Sequence, residues 1–201
     1  MTEERQKRIQ DVLHHRQNDL TVVLENVHDP HNIAAVMRSC DAVGISEIYV
    51  LNTGMIPHPK FGKRSSSSAQ KWVNVHQFSE AKYCFEEIRK KYSKIYSTHL
   101  DENAVSLYDL ELTESCALVF GNEHSGITKE SLAYCDGNFI IPQVGMIQSL
   151  NISVACAVSI FEAFRQKKAA GHYDKNKLLQ EEKNTLLDFW EVDKNDFSLF
   201  Y

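Results

Sequence analysis

Runs rich in β-branched and apolar residues alternate with runs of helical periodicity along this chain, and that alternation constrains its fold more than any single residue does. The segments LTVVLENV (20–27), EIYVLN (47–52), WVNVHQF (72–78), KIYSTHL (94–100), CALVFGNE (116–123) and FIIP (139–142) read as strands. Helices are expected over 3–17, where Ile9, Val12 and Leu13 form an apolar stripe, and over 79–91, 149–168 and about 176–191. A further helix is expected from Ile33 to Ala42, with Asn32 as its N-cap and Gly44 beyond its end, and a short one over 128–135 is capped by Thr128. Strand–helix alternation predicts an α/β fold, a mostly parallel sheet with helices on both faces. The boundaries expected are a basic helical extension over 1–18, a central domain over 19–169 and a C-terminal helical extension over 170–201.

Residues 139 to 161, FIIPQVGMIQSLNISVACAVSIF, contain no charge and are long enough to cross a bilayer. Pro142 and Gly145 interrupt the first third, and Gln143, Gln148, Ser149, Asn151 and Ser153 are polar groups that lipid would leave unsatisfied. The stretch therefore reads as a buried strand, a glycine-containing loop and the start of a helix, inside the protein rather than in a membrane.

The formal charge of −5 argues against nucleic acid as a partner, but its distribution permits an anionic one. Arg5, Lys7, Arg8, His14, His15 and Arg16 make the N-terminus basic, and Lys60, Lys63, Arg64 and Lys71 lie in a segment without acids. Acidic residues gather instead near the C-terminus, in LQEEKNTLLDFWEVDKND. Cys40, Cys84, Cys116, Cys135 and Cys156 are odd in number and widely spaced, without a CxxC pair, so neither a zinc ribbon nor a redox motif is indicated. They read as reduced, mostly buried thiols of a cytoplasmic protein.

Ligands of parallel sheets lie beyond the carboxyl ends of the strands. Three such ends carry polar loops: ENVHDPHN, FGNEHSGI and IPQVGMIQSLN. No GxGxxG or GxxxxGK[ST] is present, which disfavours a dinucleotide site or a P-loop. There is no HExxH, His28 and His31 share a turn without further ligands, and no metal is expected. Ser125 lacks the GxSxG elbow of a hydrolase.

Taken in order, ENVHDPHNIAAVMRSCDAVGI, LVFGNEHSGI and IPQVGMIQSLNISVACAVSIFEAFRQ resemble the three motifs of the SpoU-type RNA ribose 2′-O-methyltransferases of the SPOUT superfamily, over roughly residues 20 to 168. The flanking RIQDVLHHRQNDLTVVLENVH and SSSAQKWV resemble the branch that methylates guanosine 18 in the D-loop of tRNA. The resemblance implies a deep trefoil knot in the C-terminal part of the domain, S-adenosylmethionine as methyl donor, tRNA as substrate and a homodimer. It assigns Arg38 to activation of the ribose hydroxyl and places Asn32, Glu123, Ser149 and Asn151 in the catalytic site. It lines a cofactor pocket with Val119, Phe120, Gly121, Ile140, Ile141, Pro142, Gly145, Met146, Ser149 and Leu150. Glycines 121 and 145 are expected to let backbone come close to the ligand.

Phosphate contacts are expected from Arg5, Arg8, Arg16, His31, Lys63, Arg64 and Lys71. Two other readings compete. An rRNA ribose methyltransferase of the same superfamily is one, although only a short segment precedes the first strand here. A catalytically silent RNA-binding protein of this fold is the other, opposed by the joint presence of Arg38, Asn32, Glu123, Ser149 and Asn151.

Overall fold

The computed structural model describes residues 1–53, 69–123, 125–147 and 149–193. In chain order the elements are α1 (Glu3–His15), β1 (Leu20–Glu25), α2 (Pro30–Ala42), β2 (Glu47–Leu51), β3 (Asn74–Phe78), α3 (Ala81–Arg89), β4 (Lys94–Thr98), β5 (Val105–Ser106), β6 (Cys116–Phe120), α4 (Lys129–Leu132), β7 (Gly137–Ile140), α5 (Ile152–Ala169) and α6 (Gln180–Phe189). Seven strands form one sheet in the order β3-β2-β1-β6-β4-β7-β5, and every pairing is parallel.

The middle of the sheet is its most apolar part. β1 and β6 pair with Val23 opposite Val119, and every residue of both strands is buried. This is why CALVF reads as a continuous apolar run, and LTVVLE as one broken only by Thr21 and Glu25, not as alternating strands. Side chains divide between the two faces by the two-residue period of a strand. Leu20, Val22, Leu24, Ile48, Val50, Leu118 and Phe120 meet Ile33, Val36, Met37 and Cys40 of α2 and Ile152, Cys156, Ile160 and Ala163 of α5. On the opposite face Val23, Tyr49, Leu51, Ala117 and Val119 meet Ala81, Cys84, Phe85 and Ile88 of α3. Burial of each large aliphatic side chain stabilises by about 1.5–3 kcal/mol relative to exposure.

The terminal helices close on each other. Ile9 and Leu13 of α1 pack with Leu178, Leu187 and Trp190. Glu182 accepts hydrogen bonds from Leu179 N–H at 2.7 Å and from Asn18 Nδ2 at 3.0 Å, so one carboxylate caps α6 and ties it to the chain ahead of β1. On α5, Lys167 is fully buried, and its Nζ donates to the carbonyls of Thr113 and Glu114 at 3.1 and 2.9 Å, with Asp19 Oδ1 at 3.3 Å.

Several boundaries differ from expectation. α2 begins at Pro30, and its N-cap is Asp29, whose side chain accepts from His31 N–H at 2.8 Å; Asn32 is therefore inside the helix, not its cap. Proline at the first helical position needs no donor there, so Asp29-Pro30 starts the helix. α5 begins at Ile152 with Asn151 as its cap, leaving Ser149 in the loop. The two-residue β5 and the 3-10 turn over Leu107–Asp109 were not foreseen. Four of the five cysteines are buried and Cys135 is half-buried. Burial pushes the Cys84 and Cys116 thiols up to about 12 and Cys135 up to about 11, so all three stay protonated and unreactive at neutral pH. The uncharged stretch is the end of β7, a loop and most of α5, and no described helix is long and apolar enough to cross a membrane.

Candidate functional site

The parallel sheet brings the carboxyl ends of β1, β6, β4 and β7 to one rim, and the polar loops that follow them meet there. A cavity of about 680 Å³ opens at that rim. Phe120, Phe139, Ile140, Ile141, Pro142 and Leu150 give it apolar walls, and Gly121, Gly145 and Ser149 also line it. Eight of the ten expected pocket residues are thus on its wall. Val119 is not, because strand alternation turns it to the α3 face of the sheet, and Met146 is almost wholly exposed to solvent instead.

The two glycines on the wall have different surroundings. A Cβ on Gly121 would lie 2.4 Å from the backbone of Gly126, so this glycine is required by the tight fold of its own loop. That loop is closed by reciprocal backbone hydrogen bonds between Asn122 and Gly126 at 3.1 and 2.9 Å. A Cβ on Gly145 would meet nothing within 4 Å among the described residues, so none of them demands glycine there.

Beside the cavity a hydrogen-bond chain joins all three loops. Asn32 Nδ2 donates to Glu123 Oε1 at 2.7 Å, and Asn32 Oδ1 accepts from Asn151 Nδ2 at 3.1 Å. Asn151 Oδ1 accepts from Ser153 N–H at 2.9 Å and from Ser153 Oγ at 2.6 Å. Asn151 therefore caps α5 and holds Asn32 at once, while Asn32 is free for both contacts because Asp29 has taken the capping role. Asn26, immediately after β1, supports the rim from beneath. It has φ +53°, a left-handed conformation that asparagine tolerates better than most residues. Its side chain exchanges hydrogen bonds with Thr53 at 2.9 Å, and its carbonyl accepts from Asn122 Nδ2 at 2.9 Å. Sequence reasoning passed over Asn26; an asparagine directly after a buried strand was the available signal.

Arg38 stands apart from this chain. It is exposed on α2, makes no hydrogen bond or ion pair with a described residue, and does not line the cavity. His31, exposed seven residues earlier, lies two turns away on the same stripe of α2. Arg5, Arg8 and Lys71 are also exposed. Lys63 and Arg64 lie outside the described residues.

Arg16 corrects the expectation of a phosphate contact. It is fully buried: Nη1 donates to Ile45 O at 2.9 Å, and Nη2 donates to Asp41 Oδ1 at 2.6 Å and to Trp72 O at 3.1 Å. Its guanidinium carbon lies 5.3 Å from the centre of the Trp190 ring. Burial lowers its pKa, partly offset by Asp41. A group so placed fastens α2, the approach to β2 and α6 together and is not offered to a polyanion. Among the described residues no group of three or more His, Cys, Asp or Glu is placed to hold a metal ion.

Comparison with known proteins decides the ancestry of this site. A sequence model of the SpoU rRNA methylase family matches residues 19–161. This chain belongs to the SpoU methylase family. It is 43% identical over 190 residues to a tRNA (guanosine(18)-2′-O)-methyltransferase of Thermus thermophilus, an alignment covering 94% of this chain and 96% of that one. The crystal structure of the Aquifex aeolicus TrmH/SpoU tRNA modifying enzyme superposes with a TM-score of 0.85 at 32% identity, covering 99% of this chain and 98% of that one. An AdoMet-bound rRNA methyltransferase of Sinorhizobium meliloti superposes with a TM-score of 0.66 at 25% identity, over 76% of this chain and 59% of that one.

Proposed function

We propose that this protein transfers the methyl group of S-adenosylmethionine to the ribose 2′-hydroxyl of a tRNA guanosine, guanosine 18 of the D-loop, in the cytoplasm. The observation that carries the reading is the meeting of the three motif loops at one rim, where the Glu123–Asn32–Asn151 chain adjoins an apolar cavity. The full-length similarity to the Thermus thermophilus tRNA methyltransferase supplies the substrate class.

The cavity fits the cofactor on its own chemistry. At about 680 Å³ it is in the range of small-molecule sites. Its aromatic and aliphatic walls suit a flat, uncharged adenine, and Phe120, Gly121, Ile140 to Pro142, Gly145, Ser149 and Leu150 would hold the molecule. When bound, S-adenosylmethionine supplies an electrophilic methyl on a sulfonium. The chain must then orient the ribose hydroxyl and stabilise the charge that develops as it loses its proton. Arg38 suits the second task. Its guanidinium has no hydrogen-bond or ion-pair partner among the described residues, so its donors are available to the 2′-oxygen or to an adjacent phosphate. Asn32, Glu123 and Asn151 hold the three loops in register beside the cavity.

The active form in this reading is a homodimer. Val144, Met146 and Ile147 project from the cavity loop at 107%, 98% and 74% exposure, and Val154 and Phe161 are half-exposed on α5. Apolar side chains so exposed are costly in water and suit a second copy of the chain. Arg38 does not line its own chain's cavity, and a dimer gives it a cavity to face. The resemblance further implies that the chain after β7 is threaded as a trefoil knot; β7 lies between β4 and β5, both of which precede it. The extensions 1–18 and 170–201 flank the central domain, a reading supported in their described residues by the packing of Ile9 and Leu13 on Leu178, Leu187 and Trp190. Arg5, Arg8, His31 and Lys71 contact phosphate. The Arg38→Ala variant is the test: turnover is lost while S-adenosylmethionine still binds, and a near-normal rate would remove Arg38 from the mechanism.

A further inference from the structure

We propose that His99 binds the amino-acid carboxylate of S-adenosylmethionine in this cavity. The proposal rests on the reading of the cavity as the cofactor site and deepens it. His99 follows β4, the strand that lies between β6 and β7, so its loop enters the cavity between the two strand ends that form the walls. The loop is held on both sides. His99 N–H donates to Ser97 O at 3.0 Å, and Asp101 accepts from Asn138 Nδ2 while Asn138 Oδ1 accepts from Ser97 Oγ. A side chain on so fixed a loop reaches a ligand with little further ordering.

The choice of His99 follows from elimination among the polar side chains of the wall. Thr98 Oγ1 donates to Val119 O at 3.2 Å. Asn122 is committed to Asn26 O and to Ser125 N–H at 2.9 and 3.0 Å. Glu123 accepts from Asn32 at 2.7 Å, and Gln143 has a partner of its own. Ser149 and His99 are left, and the His99 imidazole is half-buried with no hydrogen bond or ion pair to a described residue. Among the described wall residues there is no lysine or arginine, so His99 is the one side chain there able to become a cation. The cofactor brings a carboxylate, whose oxygens need hydrogen-bond donors, into a mainly apolar cavity that also holds the Glu123 carboxylate. An imidazole N–H donor answers that need.

The experiment is calorimetric binding to the full chain of three ligands: S-adenosylmethionine, S-adenosylhomocysteine and 5′-methylthioadenosine, which keeps the adenosine and the sulfur but lacks the amino acid. The variants are His99→Ala and His99→Gln. The expected result is a loss of about 10-fold or more in affinity for the first two ligands in His99→Ala, the scale of a charge-assisted hydrogen bond, with 5′-methylthioadenosine unchanged. His99→Gln, which keeps a neutral donor and serves if the alanine variant is unstable, recovers part of the loss. Equal weakening of all three ligands would assign His99 to the adenosine end or to packing and overturn the proposal, as would unchanged affinity for S-adenosylmethionine. Wild-type protein that binds none of the three would overturn the cofactor reading itself, so the two failures are distinct.

Discussion

Replacing Arg16 by alanine separates two roles that an arginine in a basic N-terminus can have. If it is the buried fastener described above, truncation removes a charge-assisted hydrogen bond to Asp41 and the donors to the Ile45 and Trp72 carbonyls. It also removes the contact with the Trp190 ring. Breaking a buried ion pair from one side costs about 3–5 kcal/mol, and Asp41 lies at the lower end of that range because its side chain is 37% exposed and keeps some water. With about 2–4 °C of melting temperature per kcal/mol for a chain of this size, the midpoint should fall by about 10 °C. Urea and thermal unfolding at fixed protein concentration measure this. At a temperature where the variant remains folded, the salt dependence of tRNA binding should match that of the wild type. A melting point within about 2 °C of the wild type, together with a salt slope reduced by about one, would refute the burial argument and return Arg16 to the phosphate surface.

Three further outcomes follow from the same structure. Arg8→Ala, an exposed change on α1, should leave the melting point unaltered and lower the slope of log affinity against log salt by about one, and an unchanged slope would place the RNA surface elsewhere. Asn32→Asp keeps the shape but sets a carboxylate against Glu123, so turnover should fall at least 10-fold at unchanged S-adenosylmethionine affinity; normal turnover would deprive the hydrogen-bond chain of its role. Glu47 supplies a pH test: burial alone would raise its carboxyl, but His76 and Lys91 override that and hold it at about 2 against an ordinary 4.5. A carboxyl so depressed contributes stability above its unfolded pKa, here ~3 kcal/mol, which is lost as pH falls from about 4.5 through about 2. Glu47→Gln should therefore be less stable at pH 7 and converge with the wild type near pH 2, and parallel stability curves would contradict this.

How far the sequence could be read depended on whether a residue's fate was settled locally. β6 was legible because a strand buried on both faces is apolar throughout, β1 because four of its six residues are aliphatic, and the Thr128 cap because its partner lies three residues on, whereas Asn151 was read inside its helix and is instead the cap. Asn32 was misplaced as a cap because both Asp29 and Asn32 are good caps, and Pro30 settled the contest for the earlier one. Arg16 misled for a different reason: its partners are 25 to 56 positions away, and nothing in a basic helical run shows that a carboxylate and two carbonyls will enclose one member. β5 has two residues and is defined only by pairing with β7, far along the chain. His99 falls within a segment read simply as a strand; its place on the cavity wall depends on β4 lying between β6 and β7. The motif loops were found by resemblance, and the structure adds the Asn32–Glu123 and Asn32–Asn151 contacts that no spacing rule contains.

The central claim is ribose methylation of one tRNA guanosine, and its most direct test is incubation of the protein with methyl-labelled S-adenosylmethionine and unmodified tRNA transcript, followed by nucleotide mapping. Label confined to the 2′-oxygen of the D-loop guanosine is the result this account predicts. Label on a base, on another nucleotide or on rRNA alone, or no transfer to any RNA, would contradict it.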